Sequence, residues 1–426
     1  MITVKHIFRN IFFLFLFLFL NFYVHGNELS QAQQSLENLT LKNAEALWLE
    51  KNHDLQVAKN QLEMAKADTL SAAQRPNPQL SYNLNNVGGG RDHRYLNGSD
   101  HVVHLDQTFE RGDKRDLRMK SADYRLNASQ EDLNSITRQS RTLLYQLYYQ
   151  LLLAQEKLRI TEESAALYVK TFEVAQLRFK AGDISAAELS RIDLDKLRLD
   201  NDVFQARNNL KQAQIDLGIY IGEELNAPAL KASDAWPRIT LNLYQKPMNI
   251  ENRADIKAAK LRLSAAETNR ELAMALKKRD ITIGAQIEHN SLDLESNTVG
   301  FGISIPLMTG YAYAGEIARA ESEYQAALLE LDHAHAYAIS EINKARGDLK
   351  TAEARVTHYD DILLKEADKV LQSAEFAYKQ GAQSVMDLLD ARRTYKATQI
   401  EAASARSDYA SALAAWEFLS NESDRP

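Results

Sequence analysis

Ala374-Glu-Phe-Ala-Tyr378-Lys-Gln-Gly381-Ala-Gln-Ser-Val-Met-Asp387-Leu388 repeats, in residue type and spacing, Ala175-Gln-Leu-Arg178-Phe-Lys-Ala-Gly182-Asp-Ile-Ser-Ala-Ala-Glu188-Leu189. Asp54-Leu-Gln-Val-Ala-Lys59 matches Asp255-Ile-Lys-Ala-Ala-Lys260 at almost the same separation. An offset of about 200 residues is far too long for a solenoid unit, so the chain reads as two copies of one half-protein. The first copy runs over 27–218 and the second over 253–426, joined by a Pro-containing linker at 219–252. In each quoted stretch a glycine lies between two helical patterns, where it lets the chain reverse.

Outward from those glycines the periodicity is helical. Leu144, Leu147, Leu151, Ala154, Leu158, Thr161, Ala165, Tyr168, Phe172, Ala175 and Phe179 step by three and four without a break. The return segment Leu189, Ile192, Lys196, Leu199, Val203, Ala206 does the same, as does Leu388, Ala391, Tyr395, Thr398, Ala402, Ala405, Tyr409. Such sustained heptads mark coiled-coil packing. The intervals Gly112 to Gly182 and Gly310 to Gly381 each predict one helix of about 105 Å at 1.5 Å per residue. Thr40–Gln74 and Asp183–Leu217 predict shorter helices of about 52 Å.

Between the helices the period falls to two. Leu80, Tyr82 and Leu84 alternate with Ser81, Asn83 and Asn85; Val103, Leu105 and Phe109 alternate with His104, Asp106 and Thr108. Ile281, Ile283, Ala285 and Ile287 do so in the second half, followed by Val299, Phe301, Ile303, Ile305 and Leu307. Four such strands, apolar on one side and small or polar on the other, suit a membrane barrel with a wet lumen. Four strands cannot close a barrel, and open edges are not tolerated in lipid. Three copies of the chain would supply about 12 strands and an open lumen, whereas two would supply about eight and a filled one. The fold expected is mainly α with a small β part: a long coiled-coil helical barrel, a four-strand share of a 12-stranded transmembrane barrel, and an internal two-fold repeat.

Composition agrees. The 426 residues include only 16 Gly and 7 Pro, too few for an all-β fold built on tight turns. With no Cys there is no disulfide, thiolate site or lipid-bearing cysteine. The net charge of -7 argues against nucleic acid as a partner. Lys5 and Arg9, the apolar run Ile11 to Leu20 and Val24-His25-Gly26 read as an export signal over 1–26. No G-x-S-x-G, P-loop, H-E-x-x-H or dinucleotide fingerprint occurs, so no enzyme activity and no cofactor is expected. His53, His93, His101, His104, His289, His333, His335 and His358 show no ligand spacing, and no metal site is expected from them.

With these features in hand, the chain resembles the TolC family of outer-membrane efflux channels over nearly its whole length. Tyr378-Lys-Gln-Gly381-Ala-Gln-Ser-Val-Met-Asp387-Leu-Leu-Asp390-Ala-Arg-Arg-Thr-Tyr395 and Arg178-Phe-Lys-Ala-Gly182 look like that family's periplasmic tips. Thr108-Phe-Glu-Arg-Gly-Asp-Lys-Arg115 and Phe301-Gly-Ile-Ser-Ile-Pro-Leu307 look like its CzcC-like heavy-metal branch. The resemblance implies a homotrimer in outer-membrane lipid with a helical tunnel in the periplasm. It also implies a periplasmic membrane-fusion adaptor and an inner-membrane RND-type pump, or an ABC exporter, as partners. Heavy-metal cations are the cargo it favours; drugs, other organic solutes or secreted polypeptides are the alternatives. A periplasmic coiled coil without a pore is the competing reading of a different class.

By the same resemblance Asp387 and Asp390 line the closed end of the tunnel, and Tyr378 and Glu188 bond across helices to hold it shut. Gln383 stands where the best-known member has an Arg, which removes a charged clamp. The plainer reading of these acids is solvated charge near helix N-termini, where the dipole favours it. Around Gly182 and Gly381, the residues Arg178, Lys180, Asp183, Lys379 and Ser384 are expected to be exposed and to contact the adaptor.

Overall fold

The computed structural model describes residues 36–87, 99–240, 243–245, 248–290 and 296–420. The export signal, His93, the Gly88–Gly90 run and most of both hairpin loops lie outside the described residues. The elements in chain order are α1 (Leu41–Lys51), α2 (His53–Ala72), β1 (Gln79–Asn85), β2 (Asp100–Phe109), α3 (Lys114–Ala181) and α4 (Ala186–Tyr220). They continue with α5 (Ala254–Ala275), β3 (Ile281–Asn290), β4 (Ser296–Ser304), α6 (Ala314–His358), α7 (Leu364–Lys379) and α8 (Val385–Ser420). None of the described helices is long and apolar enough to cross a membrane. The chain forms two compact units, and each draws on both halves of the sequence.

The unit of residues 57–135 and 249–339 holds the sheet. Its order is β1-β2-β3-β4, antiparallel throughout. Register settles which side chains share a face, because residues directly opposite project the same way. Leu80 lies opposite Leu105, Tyr82 opposite Val103, Leu105 opposite Ala285, Ile287 opposite Val299 and Ala285 opposite Phe301. One face is therefore largely apolar, with Gln107 opposite Ile283 as a polar exception and His101 opposite His289 near one end, and it is open: Leu80 is 73% and Phe301 84% exposed. The other face pairs Ser81 with His104, Thr108 with Thr282, Gln286 with Gly300 and Glu288 with Thr298. Among the described residues both outer strands, β1 and β4, pair on one side only.

Strand β4 stops at Ser304, short of the expected Leu307, because Pro306 has no N–H to continue the ladder. At the foot of the sheet, Lys114 is buried against Asp280 at 2.8 Å, and Asp280 also accepts the Arg111 N–H at 2.9 Å. Arg118 forks onto both oxygens of Glu110. The Thr108–Arg115 stretch is thus the corner where strand becomes helix.

The second unit comprises residues up to 56 with 136–248 and 340–426. Trp48, Tyr148, Leu144, Leu151, Leu217, Ile221 and Leu230 form its largest core. The Trp48 indole N–H donates to Ser140 Oγ at 3.0 Å. The Tyr148 hydroxyl bonds the Leu39 carbonyl at 2.9 Å and Asp234 at 2.8 Å, which ties the segment after α4 to α3. Burial pushes the Tyr148 phenol up from its ordinary range, so it stays a donor.

Two expected helices are interrupted. Thr40–Gln74 breaks at Asn52, whose ψ of 125 is extended. Its N–H closes α1 on the Trp48 carbonyl, its Oδ1 accepts the Leu55 N–H, and its Nδ2 donates to the Tyr220 carbonyl. One residue serves both helix ends, its backbone closing α1 and its side chain capping α2. The Gly310–Gly381 helix contains a π turn at Tyr359–Leu363, between α6 and α7. Arg406 of α8 forks onto Asp360 there, and Tyr359 donates to Glu401. The buried stripe of α4 also differs in one place. It runs through Ile192, Asp195, Leu199 and Val203, so Asp195 rather than Lys196 faces the packing.

Candidate functional site

The tips are built from the ends of α3 and α7 and the starts of α4 and α8. Each helix pair turns in the same way. Gly182 N–H bonds the Phe179 carbonyl at 3.0 Å and Asp183 N–H the Arg178 carbonyl at 2.9 Å. Gly381 N–H bonds the Tyr378 carbonyl at 3.0 Å and Ala382 N–H the Ala377 carbonyl at 2.9 Å. These are Schellman turns, with left-handed glycines at φ 83 and 71. A Cβ at either glycine would meet nothing within 4 Å. The glycine is needed for its conformation alone. Gly182→Ala and Gly381→Ala will each cost about 1–2 kcal/mol locally. Hydrogen exchange at the Asp183 and Ala382 amides will accelerate by roughly tenfold, and an asparagine at either position will exchange more slowly than the alanine.

Below the turns, Tyr168, Ala175, Ile192, Leu199, Val385 and Leu389 form a small apolar core, and Ala374, Leu388 and Ala391 form another. Tyr378 packs against both. Burial pushes the Tyr168 hydroxyl up, and it donates to the Leu389 carbonyl at 3.1 Å.

The expected gate residues are gathered on this tip, with one changed partnership. The Tyr378 hydroxyl accepts from Arg178 Nη1 at 3.1 Å, and the Arg178 guanidinium lies 5.7 Å from the ring centroid. Among the described residues no bond joins Tyr378 to Glu188 within one chain; the Glu188 backbone N–H donates to Ser185 Oγ at 3.1 Å. Arg178 reaches the hydroxyl first because it lies in the last turn of α3, directly beside α7. It is accordingly half-buried rather than exposed.

Asp387 and Ser384 form a reciprocal cap at the start of α8. Asp387 Oδ2 accepts the Ser384 N–H at 3.1 Å and its hydroxyl at 2.8 Å, while Ser384 Oγ accepts the Asp387 N–H at 3.2 Å. Both residues remain exposed, as do Asp390, Gln383, Lys180, Asp183 and Lys379. Asp390 has Arg393 at 3.9 Å.

The polar links that join the two hairpins below the turns carried no role in the sequence reading. Arg392 donates across to Thr171 Oγ1 at 2.7 Å and, within its own hairpin, to Glu375 at 3.0 Å. Arg393 donates to the buried Asp195 at 3.1 Å, and Lys396 to Asp202 at 2.7 Å. The available signal was the separation: Arg393 and Asp195 are 198 residues apart, close to the repeat offset.

Histidine placement differs from what spacing in one strand suggests. His101 lies opposite His289 across β2 and β3, with ring centroids 6.2 Å apart. Among the described residues no group of three or more His, Cys, Asp or Glu is placed to hold a metal ion.

Residues 44–223 and 247–422 match the Outer membrane efflux protein family. The chain belongs to the outer membrane efflux protein family. As a member of that family it is an outer-membrane efflux channel and not an enzyme. Among curated relatives of this efflux protein, the "Cobalt-zinc-cadmium resistance protein CzcC" of Cupriavidus metallidurans is 23% identical over 366 residues, 84% of each chain. The "Outer membrane protein TolC" of Escherichia coli K12 is 23% identical over 82% of this chain and 77% of its own. The crystal structure of CusC superposes with a TM-score of 0.76 at 19% identity, covering 90% of this chain and 92% of that one. That likeness extends the family assignment to the fold.

Proposed function

We propose that the chain is the exit duct of a tripartite efflux system, assembled as a homotrimer and passive in itself. The observation that carries this is the sheet. Its apolar face is built to meet lipid and its polar face a lumen, and its edges β1 and β4 need partners that one chain does not supply. Further copies of the chain are partners of the right pattern. The duplicated halves of the sequence each contribute one hairpin and one tip, and the matching turns at Gly182 and Gly381 favour that origin.

In this reading the helices form the periplasmic tunnel, and the exposed Lys180, Asp183 and Lys379 meet a periplasmic adaptor that links the duct to an inner-membrane pump. Asp387 and Asp390 form two rings of carboxylates at the tunnel end, bordered by Glu188 and Gln383. Like charges held together attract cations and exclude anions. Selectivity is therefore weak and by charge. Heavy-metal cations are the cargo, a choice supported by the cobalt, zinc and cadmium resistance in the name of one relative.

The test has two parts. In planar bilayers the purified protein will give a cation-preferring conductance; no conductance would overturn the duct. In its own cells, deleting the gene will lower tolerance to cobalt, zinc or cadmium. Loss of drug tolerance alone would move the cargo to organic solutes, and failure to secrete a polypeptide would move it to protein export.

A further inference from the structure

We infer that Arg178 is the latch of the tip: it holds the two helical hairpins together through Tyr378. This rests on the reading of the tip as a gate.

Each glycine turn closes on itself. The backbone bonds at 182–183 and 381–382 all return to their own helix, so the turns do nothing to join one hairpin to the other. Joining falls to side chains. Among the described residues, the polar contact nearest both turns that crosses between hairpins is Arg178 to Tyr378. The next ones, Tyr168 to the Leu389 carbonyl, Arg392 to Thr171 and Arg393 to Asp195, lie further along the helices. A tip that opens by splaying its hairpins breaks the Arg178 contact first.

The chemistry suits a latch. Arg178 makes two different interactions with one residue: a charge-assisted hydrogen bond to the hydroxyl and a cation–π contact with the ring. Tyr378 is held in place by packing against two apolar clusters, one that includes Ala175 of α3 and one that includes Ala374 of α7. Arg178 also lies in the last turn of α3, where a cation is favoured by the helix dipole. Gln383, on the opposite hairpin, carries no charge with which to clamp. The cation that holds the tip is thus on the first hairpin.

The experiment is single-channel recording of the full trimer, with Arg178→Met, Arg178→Lys, Tyr378→Ala and Glu188→Ala compared. Arg178→Met keeps the stem and loses the charge, and it will raise the open fraction about tenfold, equivalent to about 1.4 kcal/mol. Arg178→Lys will fall between the two, since an ammonium keeps the charge without the planar fork. In the Tyr378→Ala background Arg178→Met will add nothing, a coupling that a purely structural arginine would not show. Arg207→Met removes an exposed arginine paired with Glu162 well away from the turns and will leave the open fraction unchanged. If Tyr378→Ala or Glu188→Ala opens the channel and Arg178→Met does not, the latch is overturned and the gate stands. If none of the four changes gating in an intact conducting trimer, the gate reading falls as well.

Discussion

Leu105→Arg will abolish the assembled oligomer in the outer membrane, while His104→Arg, one residue earlier in the same strand, will leave it in place. Leu105 lies mid-way along β2, half-exposed, between Leu80 of β1 and Ala285 of β3. On the lipid face near the bilayer midplane an arginine costs about 2–4 kcal/mol per copy. Every copy sharing the barrel carries the penalty, so the total reaches about 6–12 kcal/mol in a trimer, comparable to the stability of a whole domain. His104 lies opposite Ser81 and Gln286 on the polar face, where a cation stays in water. The measurement is the amount of heat-modifiable oligomer in washed outer membranes. Equal loss from both variants, or from neither, would mean that the two faces are not lipid and lumen.

Trp48→Ala will have the largest effect outside the sheet. Trp48 is fully buried in the main core, with Leu144, Tyr148 and Leu217 in the same cluster. Truncating a buried Trp costs about 3–5 kcal/mol through lost transfer energy and the cavity left behind. The Ser140 hydroxyl loses its indole donor but keeps Tyr220, so unsatisfied polarity adds little. Trp48→Phe will cost less, because the ring volume largely remains. Denaturant titration followed by helical circular dichroism gives the difference; a shift below about 1 kcal/mol would show that the cluster is not a cooperative core.

The sheet was the most legible part of the sequence. Alternation is local and its period is two, so once Leu80, Val103, Ile287 and Phe301 are assigned to one face the register follows. The tips were legible for a similar reason: a glycine after a heptad run marks a turn whatever surrounds it. The interruptions were not, because their causes lie elsewhere in the chain. Asn52 breaks a helix whose pattern continues through it, since its amide finds the Tyr220 carbonyl 168 residues away. The π turn at Tyr359–Leu363 answers to Arg406 and Glu401 of α8. Asp195 enters the buried stripe because Arg393 is there to neutralise it. Heptad counting placed Lys196 there, since it weighs spacing and not partners.

The candidate site divides in the same way. Which residues gather at the tip could be read from the motif, but which pair within it could not. The resemblance sets Glu188 against Tyr378, and within one chain Arg178 also bonds the Tyr378 hydroxyl. Asp387 carries a second duty that spacing alone suggests, since Ser384-x-x-Asp387 is a capping pattern.

In the proposed duct one chain supplies a share of a barrel that only several copies can close. The most direct measurement is the mass of the detergent-extracted outer-membrane protein by light scattering, corrected for bound detergent. A protein mass of three chains is expected. A monomer, or protein recovered only from the soluble periplasm, would contradict it.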